Sequence, residues 1–468
     1  MVFPDSENIR ASDFIEYAFN SHYLTPCDGW SFTLDTKARV TNPGDTRTVG
    51  PSVEGAKDGP EGKSAEGSRT VTGGFDAFTV MKPGTRIELH LNGSLQSTGY
   101  IDAVEISASR GSGTVYRVEG RDALAQAVDS CADPVVSFKE GQTLDDVLET
   151  LFKPFGFEGI DISNEADREL RTTAFRAKTK QSEGKGFGKR ALKEFKAHQT
   201  RPYPREGVFE FASRLSQRFG LWISPSADGR RIIVATPNFE QAPETALFRF
   251  FEGQGSSFAE GGGPESGGNN VLEGSVRRDI SEQPTMIICD SYSKGGEFGP
   301  GRAKCIVLNK ALRILDSSED EIFKKYVKAG AKILGLKEDG VYKNEGSFIK
   351  PFPVESLMEA PRHRPVFLHD DESATQEHLE AYALREMALF QRKSITAKYV
   401  VEGHGQMTAN GYRAWTVDTT VHVFDELAGL DEIMYVLSRT FHKSRDGGTT
   451  TELELIRLDT LTFSDTGK

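Results

Sequence analysis

Cysteine is scarce. Four thiols, Cys27, Cys131, Cys289 and Cys305, in 468 residues form neither a disulfide framework nor a zinc-ligand spacing, so reduced side chains in a protein made in a cytoplasm are expected. Long apolar runs are missing as well. No stretch approaches the roughly 18 apolar residues of a membrane span. The N-terminus, MVFPDSENIRASDFIEYAF, has acidic residues where a secretory leader has basic ones, and it lacks an apolar core. A soluble, unprocessed chain without membrane insertion is the expectation. Positive charge is in deficit, with 57 Lys and Arg against 69 Asp and Glu and a net charge of −12. A chain so acidic is poorly suited to duplex DNA, whose binding depends on releasing counterions, so no stable sequence-specific nucleic-acid binding is expected.

Signatures of chemistry are also lacking. Asp465-Thr466-Gly467 spells an aspartic-protease triplet, but no second copy exists to share a proton. Gly184 to Lys189 (GKGFGK) resembles a phosphate loop, yet Glu183 stands where the leading glycine belongs and Arg190 replaces the closing Ser or Thr. His363, His369, Asp370, Asp371 and His378 are the densest set of metal-ligand types. Asp370 or Ser373 reads more simply as a helix cap, with Asp371 and Glu372 in the first turn. His404, between two glycines, reads as a turn residue, and Glu452 and Glu454 as one solvated strand face. No catalytic, cofactor-binding or metal-binding residue is assigned and no cofactor is expected.

What is present is strand periodicity. Trp415, Val417, Thr419, Val421 and Val423 fall on one face of an expected strand, with Thr416, Asp418, Thr420 and His422 on the other. The run from Met434 to Phe463 reads as strand, Asp-Gly-Gly turn and strand. Trp30, Phe32 and Leu34 alternate in an earlier strand, and so do Ile87, Leu89 and Leu91 before an Asn92-Gly93 turn. Helical spacing appears at Ala123, Leu124, Ala127 and Val128, at residues 143–152, at Val208, Phe211, Ala212, Leu215 and Phe219, at 319–337, and from Ser373 to Lys393. Residues 293–304 read as a loop and 350–365 as extended chain.

These signals predict a β-rich α+β protein with two antiparallel β-barrel-like regions and α-containing insertions between them. Residues 1–122 form the first, with a loop at 42–70 too rich in Gly, Pro, Ser and charge to pack. Residues 123–204 are helical and carry a basic insertion, 171–205, in which eleven Lys and Arg face only Glu183 and Glu194. Residues 205–252 are a small helix-and-hairpin module and 253–270 a Gly/Ser linker. Residues 271–468 form the second β region, interrupted by a helical and extended segment at 305–372.

Three stretches resemble the baseplate hub proteins of contractile phage tails, of the kind found in Mu-like phages and tailocins. They are YRVEGRDALAQAVDSCAD (116–133), EGVFEFASRLSQRFGLWISPSADGRRIIVATP (206–237) and the span from Tyr382 to Phe463; VLEGSVRRDISEQPT also fits. The loops 42–70 and 171–205 are longer and more charged than the family pattern. The resemblance implies a structural homotrimer without enzymatic activity, each subunit supplying two similar barrels to a pseudo-hexameric ring. Such a ring would adapt a six-fold tail tube to a three-fold central spike and pass DNA or cargo. It would also meet tape-measure and baseplate wedge proteins, in a virion baseplate assembled in the host cytoplasm. Three copies carry three times the charge of −12, and an acidic lumen would keep DNA from adhering. The alternatives are a tail-associated cell-wall or glycan hydrolase, and a carbohydrate-binding receptor-recognition β-protein.

Overall fold

The computed structural model describes residues 1–4, 9–11, 14–35, 40–41, 81–109, 113–134, 144–161, 201–217, 221–235, 237, 241–250, 268–296, 299–309, 349–352, 364–370, 376–408 and 411–458. The loop 42–70, nearly all of the basic insertion and the linker, the expected helix 319–337, GKGFGK and Asp465-Thr466-Gly467 lie outside them.

The N-terminal strands are β1 (Val2–Phe3), β2 (Ile9–Ala11), β3 (Glu16–His22), β4 (Gly29–Asp35), β5 (Val40–Thr41), β6 (Arg86–Leu91), β7 (Ser94–Ser109) and β8 (Gly113–Asp122). Helices α1 (Ala125–Asp129) and α2 (Leu144–Phe152) follow, then β9 (Gly159–Asp161), helix α3 (Val208–Gln217), β10 (Trp222–Pro225), β11 (Arg231–Ala235) and β12 (Thr245–Arg249). Next come β13 (Val271–Arg278), β14 (Met286–Gly296), β15 (Gly299–Asn309), β16 (Ile349–Phe352), β17 (Pro365–Asp370) and helix α4 (Gln376–Arg392). The chain closes with β18 (Ile395–Glu402), β19 (Gly405–Thr408), β20 (Gly411–Ala414), β21 (Thr420–Asp425), β22 (Leu430–Ser444) and β23 (Gly448–Arg457).

Among the described residues, fourteen strands form one sheet in the order β13-β18-β23-β22-β3-β4-β8-β7-β6-β1-β2-β5, with β12 and β21 branching from β22. Two of its hairpins follow from local chemistry. Asn92 and Gly93 both take positive φ, 49° and 83°, as a two-residue turn between β6 and β7 requires. Gly448, at φ 70°, closes the turn between β22 and β23. Alternation then selects the buried face: Ile395, Ala397, Tyr399 and Val401 on β18, and Thr451, Leu453 and Leu455 on β23. One apolar core runs through both halves, joining Phe3, Phe19, Trp30, Phe32 and Val118 to Tyr399, Val421, Val436 and Phe441. Each such side chain contributes about 1.5–3 kcal/mol of burial energy.

The arrangement differs from the expected pair of separate barrels. The two β regions are hydrogen-bonded to each other where β3 pairs with β22, from Tyr17↔Lys443 to His22↔Ser438. The sheet does not close into barrels. In the C-terminal half it curls until β12 faces β13, but no ladder joins them. One backbone bond, from the Asn270 amide to the Phe248 carbonyl at 3.2 Å, and side chains span the gap: Asn270 Nδ2 donates to the Ala246 carbonyl at 2.7 Å, and Arg249 Nη1 to the Gly274 carbonyl at 2.9 Å. β12 (Thr245–Arg249) runs parallel to β21 within this sheet.

Trp415 also departs from the strand pattern. β20 ends at Ala414 and β21 starts at Thr420. Between them Thr419 Oγ1 bonds the Thr416 carbonyl at 2.6 Å, and Asp418 adopts φ 59°, held by the Tyr435 hydroxyl at 2.7 Å. A local turn thus replaces the extended chain, although Trp415, Val421 and Val423 remain buried.

The three-stranded sheet β10-β11-β9 packs under α2 and α3, with Leu148, Phe152, Phe211, Leu215, Ile232 and Val234 in its core. The apolar positions expected on α3 at Val208, Phe211, Ala212 and Leu215 are buried; Phe219 lies outside the described residues. A four-stranded sheet, β16-β15-β14-β17, packs against Leu379, Ala383 and Met387 of α4. The segment 293–304, expected as a loop, belongs largely to the β14–β15 hairpin. Its Gly-rich composition hid a ladder that Ile287, Cys289, Cys305 and Val307 hold down by burial against α4.

Candidate functional site

In a protein of this architecture the element that matters is the junction where the two halves meet. It is the β3–β22 pairing, and Gly120-Arg121-Asp122 at the end of β8 adjoins it through Asp28. A side chain at Gly120 would collide with the Trp30 ring and the Tyr100 carbonyl, so glycine lets β8 pass beneath the indole. Arg121 turns outward as a clamp. Its Nε bonds Asp102 at 2.7 Å and its Nη2 bonds Asp129 at 2.6 Å. These bonds raise the guanidinium pKa and lower that of Asp129.

Asp122 turns inward and is 2% exposed. Its carboxylate accepts the Leu124 amide at 2.9 Å, starting α1, and the Asp28 amide at 2.8 Å. Burial, helped by the charge of Asp28, pushes its pKa up to about 7. Asp28 is raised too, by burial first, against the Ser21 hydroxyl that bonds it and the charge of Arg439.

Arg439 supplies the compensating cation from β22. It is 4% exposed, and its guanidinium carbon lies 4.0 Å from the Phe441 ring centroid and 4.9 Å from that of Phe19. Burial lowers its pKa to about 10, and its Nε and Nη1 have no hydrogen-bond partner. Stacking on two aromatic faces offsets part of that desolvation. Beside it, the His404 ring sits 4.4 Å from Phe441. Thr451 donates its hydroxyl to the Gly403 carbonyl at 2.6 Å, so it accepts from His404 Nδ1 at 3.1 Å. Nε2 is then the acceptor for the Tyr17 hydroxyl at 2.6 Å. Burial and the charge of Arg439 hold this histidine down at about 4, and it is neutral. The expected turn residue is therefore also a buried link between β3 and β23.

The other singled-out residues do not converge. His369 is exposed and bonds Asp290 at 2.8 Å, while Asp370 is buried. His363 and Asp371 lie outside the described residues, as does the side chain of His378. Among the described residues no three His, Cys, Asp or Glu are grouped to hold a metal. Glu452 and Glu454 are half-buried on the outer face of β23, and Glu454 is 3.7 Å from Lys398. Cys27, Cys131, Cys289 and Cys305 are all free thiols.

Sequence reasoning missed Arg439 and Asp28. A bulge between Val436 and Ser438 inserts one residue into β22. It swaps which parity faces inward, from Met434 and Val436 to Arg439 and Phe441. Unbroken alternation puts the arginine in solvent. The one available signal was an arginine two positions from a phenylalanine in an otherwise apolar strand.

The comparisons with known proteins point to phage tail proteins. Residues 391–459 match the model of a family described as NMB1110-like, tail protein, C-terminal domain. Over nearly its whole length the chain is similar in fold to the tail protein from Neisseria meningitidis MC58, at TM-score 0.59 and 17% identity, covering 98% of this chain and 97% of that one. The 43 kDa tail protein of prophage MuSo2 from Shewanella oneidensis gives TM-score 0.58 and 16% identity, covering 97% and 99%. No curated protein matches the sequence. The likeness to phage tail proteins read from the residues is thus found in a family model over residues 391–459 and in the fold over nearly the whole chain.

Proposed function

We propose that this chain is the hub subunit of a contractile-tail baseplate, acting by assembly rather than catalysis. Three copies form a ring in which the N-terminal and C-terminal β regions of each subunit alternate. The ring adapts a six-fold tail tube to a three-fold central spike and leaves a channel for DNA or cargo. The observation that carries this reading is the β3–β22 junction, with a core shared across it. It fixes two β regions in one rigid relation, as a ring with two β units per subunit requires. The acidic composition favours a lumen that repels DNA. The ring belongs to a virion baseplate assembled in the host cytoplasm, touching tube, spike, tape-measure and wedge proteins.

Sedimentation equilibrium of the purified chain, alone and with its spike, tests the oligomer. The expected mass is three times 51.5 kDa, about 155 kDa. A species of 51.5 kDa under both conditions would rule it out.

A further inference from the structure

A cavity of about 680 Å³ lies between the Asn92-Gly93 turn of the N-terminal half and the β19–β20 hairpin of the C-terminal half. That volume is within the ~300–1,000 Å³ typical of small-molecule sites. Its walls combine the Tyr412 ring with amides and hydroxyls from Asn92, Gln96, Gln241 and Thr416, above the core residue Trp415. Tyr412 is 42% exposed, while Trp415 is 4% exposed and its indole N–H has no partner. Arg413, the cation among the described lining residues, is engaged by Glu244 at 2.8 Å.

We infer that this cavity is a binding site for a neutral saccharide. Side-chain amides and hydroxyls donate and accept at once, which suits the paired hydroxyls of a pyranose. The exposed Tyr412 ring offers an apolar surface for the C–H face of the sugar, and its hydroxyl a polar handle for a ring hydroxyl. A phosphorylated ligand would need a cation not already neutralised by a carboxylate, and a lipid would need walls less rich in amides. Two hairpins from separate sheets, β6–β7 and β19–β20, frame the site, so an occupied cavity would tie them together. This inference is independent of the ring proposed above, because it concerns a cavity within one subunit.

Saturation-transfer NMR on the full chain with maltotriose, chitotriose and xylotriose as probes, and ATP as the charged control, tests it. At least one saccharide should receive saturation and titrate to a defined affinity. Tyr412→Ala and Gln241→Ala should each weaken that affinity by about tenfold or more, with unchanged melting curves. Failure of all three saccharides to bind, equal affinity in both variants, or preferential binding of ATP would each overturn the proposal.

Discussion

Replacing Arg439 with methionine is the sharpest perturbation of the junction. Methionine preserves much of the stem packed between Phe19 and Phe441 and removes the charge facing Asp28. Removing one partner of a buried charge pair costs about 3–5 kcal/mol, because the other charge is left uncompensated. The two unpartnered guanidinium nitrogens reduce that figure, since their desolvation cost vanishes with them, leaving an expected loss of about 2–4 kcal/mol. A chain of this size need not unfold in one step, so the proper readout is local. Hydrogen exchange of peptides covering β3 and β22 should accelerate about 30-fold or more, which corresponds to roughly 2 kcal/mol. The effect should diminish as the pH falls and Asp28, whose pKa is raised, takes up its proton. Unchanged protection in β3 and β22, or a loss independent of pH, would refute the assignment of Arg439 as the counter-charge.

Other consequences follow from the same junction. Asp122 titrates in the fold at about 7, above its unfolded value. Its contribution is therefore fully present below the unfolded pKa of ~3.9 and is lost as pH rises towards 7, by up to about 4 kcal/mol. Asp122→Asn should flatten the fall in melting temperature between about pH 4 and 7. His404, held at about 4, works in the opposite sense: its contribution is present above an unfolded pKa of ~6.5 and lost as pH falls towards 4. The Asn variant should accordingly expose an acid-side decline that Asp122 offsets in the native chain. Gly120→Ala should destabilise the N-terminal half by about 3 kcal/mol or more, because the new methyl meets Trp30 and a backbone carbonyl; a normal melt would contradict the close approach. Under native conditions a thiol reagent should label exposed Cys131 first. Half-buried Cys27, its thiol pushed up to about 11 by burial, should react slowly, with Cys289 and Cys305 reacting only on unfolding.

Much of this architecture is legible in the residues, for definable reasons. The Asn92-Gly93 turn, the β22–β23 hairpin and α3 are encoded locally, by φ requirements and by apolar spacing within one element. The β3–β22 pairing is different, because it joins residues more than four hundred positions apart and no local signal specifies it. The turn at 415–419 was hidden for a related reason. A buried tryptophan followed by alternating valines fits a strand equally well until Asp418 finds the Tyr435 hydroxyl. At the junction itself, Gly-Arg-Asp was recognisable as a motif, but the roles of its members depend on Trp30 in β4, Asp28 in the chain just before it and Asp102 in β7.

The central claim is that each subunit places two β regions around a common channel. A reconstruction of the purified oligomer by electron microscopy tests it most directly. The expected image is a three-fold ring with six similar β units alternating around an open lumen. A ring in which a single β region per subunit borders the channel, or a compact particle with no channel, would contradict it.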